Sequence, residues 1–300
     1  MVVRPAEGAS IALIVPVKNG GVRWRSVVVS IQAQTLRPQR ILVIDSGSTD
    51  GSDRVARTAG FEVHVLAPER FDHGGTRQMA VEMVPECEIV VFLTQDALLE
   101  RADALEQMVA ALHAHPRAGV AYGRQLPRPE AGAIERHARL FNYPEHSAEK
   151  SLDDVPRLGI KTVFSSDSFA GYRRDVLLSA GGFPRHCSMG EDMIAAARIL
   201  LRGGTVLYAA QARVVHSHGF TVAEEARRYY QIGRMHAQHR SLLARFSTPA
   251  SEGRRFVCSE LAYLSRNAPW RIPEALLRTI VKYGAYRSGR RSVPLVEQVG

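Results

Sequence analysis

Residues 88–97, EIVVFLTQDA, constrain the chain more than any other stretch. The apolar run from Ile89 to Leu93 is too short for a helix of its own and has the length of a strand buried on both faces. Such strands belong to parallel sheets covered by helices, where ligands bind beyond the carboxyl ends. This run stops at Asp96, a carboxylate placed either to hold a divalent cation against a diphosphate or to cap the helix that follows. Two earlier runs repeat the design. IALIV (11–15) ends at Pro16, before the loop Lys18, Asn19, Gly20 and Gly21, and ILVID (41–45) closes on Asp45 before Ser-Gly-Ser-Thr-Asp-Gly. A helix predicted over 24–34 joins them, and strand, helix, strand implies parallel neighbours linked by right-handed crossovers.

The loop 46–51 contains neither GxGxxG nor GxxxxGK[ST], so a dinucleotide fingerprint and a P-loop are both absent. Asp45 is then either a turn-former or an acceptor for a base or ribose. A third strand, FEVHV (61–65), leads to PERFDHGGTRQMA, where a helix is predicted to open near Thr76. Arg77 in its first turn opposes the helix dipole, a conflict that a bound phosphate would remove. After a helix over 102–115 and the strand AGVAYG, the segment 124–160 is polar and mixed, with a short helix over 131–140. It is assigned no chemistry beyond that of a variable region near the site. In GEDMIAAARILLRGG, apolar residues at helical spacing put Glu191 and Asp192 in a first turn, where the dipole stabilises them and one can serve as a general base. His216 and His218 fall on one side of an extended segment, so either can complete a metal site. Helices are predicted over 222–246, 251–265 and 273–286, the last with an apolar face bordered by Arg278 and Lys282.

Composition narrows the class. The net charge of +9 is concentrated at the end: residues 222–300 carry 14 Arg or Lys against 6 Glu. That asymmetry points to an anionic partner such as a membrane leaflet, a lipid diphosphate or nucleic acid, or else to a solvated helical surface. Nucleic acid is disfavoured, because the basic residues lack a recognition motif and clustered stacking aromatics. The three cysteines, Cys87, Cys187 and Cys258, form no CxxC pair and read as structural thiols in a reducing compartment. The opening residues lack the apolar core of a signal peptide, and no window matches a spanning helix. The expected location is cytoplasmic, or peripheral on the inner face of the plasma membrane.

Taken in order, IALIVPVKNG, ILVIDSGSTDGS, FDHGGTRQMA, IVVFLTQDA, SFAGYRRDVLLSAGGF, GEDM and VVHSHGF resemble glycosyltransferase family 2, in particular its bacterial rhamnosyltransferase branch. The resemblance implies an α/β GT-A fold, a Rossmann-like and mostly parallel sheet flanked by helices, over 1–221, with a basic helical extension over 222–300. It implies an inverting, metal-dependent transfer of a sugar, best matched by dTDP-L-rhamnose, to a glycan or lipid-linked acceptor in cell-envelope polysaccharide synthesis. A UDP- or GDP-sugar donor is the alternative. It further implies a nucleotide-sugar site of Pro16, Asn19, Asp45, Ser46, Arg77, Gln95 and Asp96, with Arg77 near the diphosphate. Mg2+ or Mn2+ would sit on Asp96 and His216, and Asp192 would be the base, oriented by Glu191. The chain departs from the pattern where Thr94 stands for the first acid of a DxD motif, where Gln78 stands for an asparagine, and where Lys18 stands for an aromatic.

Overall fold

The alternation of buried runs and helical segments builds one sheet with helices on both faces. The computed structural model describes residues 10–187, 189–246 and 251–294; the first nine residues, where a leader was sought, and the last six of the basic tail lie outside them. In the first part, β1 (Ile11–Val17), β2 (Arg40–Asp45), β3 (Glu62–Val65) and β4 (Ile89–Leu93) alternate with α1 (Gly21–Gln32), α2 (Ser52–Thr58) and α3 (His73–Glu82). Next come β5 (Leu98–Leu99), α4 (Ala104–Ala114), β6 (Ala118–Leu126), α5 (Ala133–Asn142), β7 (Ala148–Lys150) and α6 (Val155–Leu158). They are followed by β8 (Phe169–Arg173), α7 (Arg174–Ser179), α8 (Glu191–Leu201) and β9 (Thr205–Val215). The helices α9 (Val222–Gln238), α10 (Arg240–Leu243), α11 (Ser251–Asn267) and α12 (Ile272–Arg291) close the described chain.

The strands run in the order β3-β2-β1-β4-β8-β6-β9-β5, with β7 paired to β9. From β3 to β4 every pairing is parallel, as the crossovers demand. Beyond β4 the sheet is mixed, because β8 runs against both of its neighbours while β6 and β9 are parallel. The "mostly parallel" description therefore fits the first half only. The reversal matters for position: Phe169, the first residue of β8, pairs with Leu93, the last of β4. Residues just before β8 are thereby delivered to the edge where the parallel strands end.

Successive side chains of β1 point to opposite faces and join two separate cores. Ala12 and Ile14 pack with Leu42, Phe92, Tyr172 and Phe183, whereas Leu13 and Val15 pack with Trp24, Val43, Val91 and Met108. The segment predicted as one helix over 222–246 breaks at His239, giving α9, α10 and a 3-10 turn. Met235, Leu243 and Phe246 enter the first of the two cores, and α11 lies on α5 through Phe141, Phe256 and Tyr263 around His137. Cys87 and Cys187 are buried and Cys258 is exposed, and all are free.

Helices α9 and α12 touch backbone to backbone. A Cβ on Gly289 would collide with the Tyr230 carbonyl, and one on Gly233 with the Tyr286 carbonyl. Gly284, on the same helix as Gly289, has nothing within 4 Å of such a Cβ. Gly289→Ala is expected to destabilise by about 1–3 kcal/mol through overpacking. Gly284→Ala should cost nothing and gain up to about 1 kcal/mol of helix propensity. Thermal melting of the two variants beside the parent checks both.

Candidate active site

The carboxyl ends of β1, β2, β4, β6 and β9 and the start of β8 share one rim. Side chains lace its first part together. Gln95 accepts from the Lys18 amide at 2.6 Å and donates to the Lys18 carbonyl at 3.1 Å, tying β4 to β1. Asn19, in left-handed backbone at φ 48°, accepts from the Thr49 amide at 2.8 Å, and its own amide donates to Ser48 Oγ at 2.9 Å. Pro16 is half-buried in β1, opposite Ile44. These expected site residues are brought to the rim, and Gln95 and Asn19 act there as braces between loops.

Asp45 combines both readings of its carboxylate. Its Oδ1 accepts from the amides of Gly47 and Ser48 at 3.0 and 2.8 Å, which fixes the turn. Its Oδ2 is buried without a hydrogen-bond partner, and so is the hydroxyl of neighbouring Ser46. Buried polar atoms left unpaired cost free energy, and a ligand bearing complementary groups would remove that cost.

Arg77 corrects the reading from sequence. The helix opens at His73, capped by Asp72, so Arg77 stands a turn further in than expected, and its charge is answered by carboxylates inside the protein. The side chain is 5% exposed; Nε lies 2.9 Å from Asp167 Oδ2 and Nη1 lies 3.0 Å from Glu191 Oε1, while Nη1 also donates to the His73 carbonyl at 3.1 Å. The Asp167 contact is an ion pair without a well-aligned hydrogen bond. Asp167 Oδ1 accepts from the Tyr172 hydroxyl at 2.6 Å, and the Asp167 amide points to Asp192 Oδ2 at 3.4 Å. Asp192, half-buried in the first turn of α8, also accepts from the Met193 amide at 2.7 Å. One guanidinium faces three carboxyl groups, so a proton is retained near neutral pH. Burial pushes Asp167 up, against the opposing charge of Arg77. Burial, and then the charge of Glu191, push Asp192 up to about 6. A carboxylate with that pKa on an open helix end suits a general base.

At the other end of the rim, Asp96, His216 and His218 offer ligand atoms within 4.8 Å of one another. His216 Nε2 is 3.4 Å from Asp96 Oδ1, and His218 Nε2 is 3.7 Å from Asp96 Oδ2. Arg139 donates to Gln125 Oε1 at 2.9 Å, which fixes that atom as an acceptor, so the contact of His216 Nδ1 with it at 2.9 Å must be an N–H donation. Burial lowers the pKa of His216, leaving Nε2 bare and facing a carboxylate. A cation held between them would relieve the repulsion of two lone-pair donors this close. The residues thus fit Mg2+ or Mn2+. Burial alone would raise the Asp96 pKa, but its polar surroundings, Arg128 among them, outweigh it and hold the carboxyl well below the ordinary range.

Several participants escape a reading by motif. His218 joins His216, so the His-Ser-His alternation places both rings at the cation site. The segment 124–160 is not bare of chemistry: it supplies Gln125, Arg139 and Arg128, whose Nη2 donates to the Asp96 carbonyl at 2.8 Å and lies 3.2 Å from its Oδ2. Asp167 and Tyr172 carry no local signal at all.

This geometry belongs to a sugar-transferring enzyme, and the chain is a member of glycosyl transferase family 2, whose model matches residues 12–179. It is 43% identical over 289 residues to the O-antigen chain rhamnosyltransferase WbaN of Salmonella anatum, covering 95% of this chain and 91% of the relative. It is 42% identical over 288 residues to the O-antigen chain rhamnosyltransferase RfbN of Salmonella typhimurium strain LT2, with the same coverage. Among solved structures, the mannosyltransferase PcManGT from Pyrobaculum calidifontis, in complex with GDP-Man and Mn2+, superposes with a TM-score of 0.60 at 21% identity. That match covers 94% of this chain and 77% of the other. Glucosyl-3-phosphoglycerate synthase from Mycobacterium tuberculosis, solved with Mn2+, UDP and glucosyl-3-phosphoglycerate, gives 0.56 at 19% identity over 81% of this chain and 82% of its own. The fold is the GT-A type.

Arg77→Gln leaves Asp167 and Glu191 buried without a counter-charge. A loss of about 3–5 kcal/mol is expected at neutral pH. The loss should shrink as pH falls and the carboxyls take up protons. Urea unfolding at pH 7.5 and 5.0 tests this; an equal loss at both pH values contradicts it.

Proposed function

We propose that this chain transfers L-rhamnose from dTDP-L-rhamnose, with inversion, to a hydroxyl of a cell-envelope glycan of the O-antigen kind. The near full-length likeness to two O-antigen rhamnosyltransferases carries the reading. The unpaired Asp45 Oδ2 and Ser46 hydroxyl support a nucleoside seat beyond β2, with Pro16 and the Asn19 and Gln95 braces forming its floor. Asp192 accepts the proton of the acceptor hydroxyl while its oxygen attacks the anomeric carbon; that bond forms as the bond to the diphosphate breaks, and the nucleoside diphosphate departs. Glu191, turned to Arg77, keeps the first turn of α8 in place. Asp96, His216 and His218 would hold a divalent cation, which would supply positive charge to the departing diphosphate.

Residues 222–300 serve in this proposal as a helical appendage that meets an anionic leaflet carrying a lipid-linked acceptor. No helix among the described residues is long and apolar enough to cross a membrane. On α12, Leu276, Leu277, Ile280 and Tyr283 are exposed, Trp270 just before it is 75% exposed, and Arg287, Arg290 and Arg291 follow. Apolar and aromatic residues beside arginines match the chemistry of an interfacial helix.

With MnCl2 present, dTDP should raise the melting temperature more than UDP or GDP, since a ligand at about 100 times its Kd adds ~2.7 kcal/mol. His216→Ala should lose most of that metal-dependent increment, and equal shifts from all three nucleotides would remove the dTDP assignment. Asp192→Asn should keep dTDP binding and lose turnover. The parent's kcat/KM should fall as pH drops through about 6, where Asp192 takes up its proton. Because the native carboxyl holds its proton to higher pH than the unfolded one, its ionisation costs stability as pH rises through that window. Asp192→Asn should therefore melt at or above the parent temperature at pH 8. Finally, the protein should sediment with vesicles rich in phosphatidylglycerol at low salt, and Ile280→Glu should weaken this; recovery of the parent in the supernatant would discard the membrane contact.

A further inference from the structure

Arg77 is spent internally on Asp167 and Glu191, so the question of what faces the donor's diphosphate reopens. The cation site lies among other guanidiniums. Arg139 on α5 is largely buried, gives Nη1 to the neutral Gln125 oxygen at 2.9 Å, and leaves Nε buried without an acceptor. Among the described residues no carboxylate forms an ion pair with it, and burial, joined by the nearby charge of Arg228, lowers its pKa against the opposing influence of Tyr143 and Glu135. A buried guanidinium left in that state is costly unless an anion reaches it. Arg228 on α9 is exposed, also lacks an ion-pair partner among the described residues, and lies 5.8 Å over the Phe220 ring. Phe220 stacks on His218 at 5.0 Å, and His218 meets His216 at 4.6 Å, which leads from Arg228 directly to the cation site. Arg128, 9% exposed, completes the group at Asp96.

Resting on the transferase reading above, we propose that Arg128, Arg139 and Arg228 form the wall that receives the donor's diphosphate, the part the family resemblance gives to Arg77. Three guanidiniums against the carboxylates of Asp96 and Glu135 leave surplus positive charge beside the two histidines. A diphosphate diester, with a negative charge on each phosphoryl, complements that surplus, and guanidinium forks match phosphoryl oxygens in shape. Arg139 gains an acceptor for its buried Nε. The wall comes from the β6–α5 loop, α5 and α9, so the donor is gripped by the half of the chain opposite its nucleoside seat.

The test uses the full chain with MnCl2 and follows binding of dTDP and of thymidine by calorimetry, in the parent, in Arg228→Gln and in Arg139→Lys. Arg228 is exposed, so its variant should melt with the parent and leave folding out of the comparison. About a tenfold loss of dTDP affinity is expected for each variant, the scale of a lost hydrogen bond to a charged group, with thymidine binding unchanged. Parent-like dTDP affinity in both variants, or equal loss for dTDP and thymidine, would overturn the proposal and leave the transferase reading standing. A parent that binds no dTDP, UDP or GDP would remove the transferase reading and this one together.

Discussion

One buried guanidinium holds the catalytic half of this enzyme in shape. Arg77 issues from the second turn of α3 and joins Asp167, ahead of β8, to Glu191, at the head of α8. Those segments come from three places in the chain, and they enclose a single positive charge among three acidic groups. The arrangement does two things. It cross-links the elements beneath the rim, because removing the cation would strand carboxylates in a dry interior. It also leaves Asp192 as the acid that is not directly paired, so its affinity for protons is set by burial and by its neighbour. Structural glue and the tuning of Asp192 are here the same contact.

The reversed direction of β8 explains why so many chemically active groups share one edge. If β8 ran with β4, residues 165–168 would lie at the opposite edge. Running against it, the strand places Ser166, Asp167 and Ser168 beside the end of β4, where the Thr94 amide donates to the Ser168 carbonyl at 3.2 Å. Ser166 in turn accepts from Gln125 at 2.8 Å, and Gln125 orients His216. A chain of polar contacts therefore runs from Asp96 through His216, Gln125 and Ser166 to the Asp167 amide, which meets Asp192 at 3.4 Å.

How far the sequence discloses this depends on the range of the signal. Strands β1, β2 and β4 and the acids that follow two of them are readable because each is a contiguous apolar run with a carboxylate at its end. The first-turn position of Glu191 and Asp192 follows from local helical spacing. Arg77 is locally readable as an oddity, but its partners lie 90 and 114 residues further on, and nothing in the helix itself distinguishes a phosphate from a carboxylate as the answer. Gln125, Arg128 and Arg139 sit in a stretch without periodicity, where side chains acquire meaning only once β6 and β9 are paired. The direction of β8 is a tertiary outcome that its five residues cannot encode.

The glycine contact between α9 and α12 has a mechanical meaning. With main chains touching at Gly233 and Gly289, and with Arg278 of α12 bonded to Glu225 and to the Phe220 carbonyl at 2.9 and 2.8 Å, neither helix can slide without its fellow. A force applied to the outer side of α12 is therefore carried to Arg228 and the His-Ser-His turn almost without slack. Whatever surface the outer helix rests on sets the height of the reaction centre above it, as a rigid bracket sets the height of a tool over a bench.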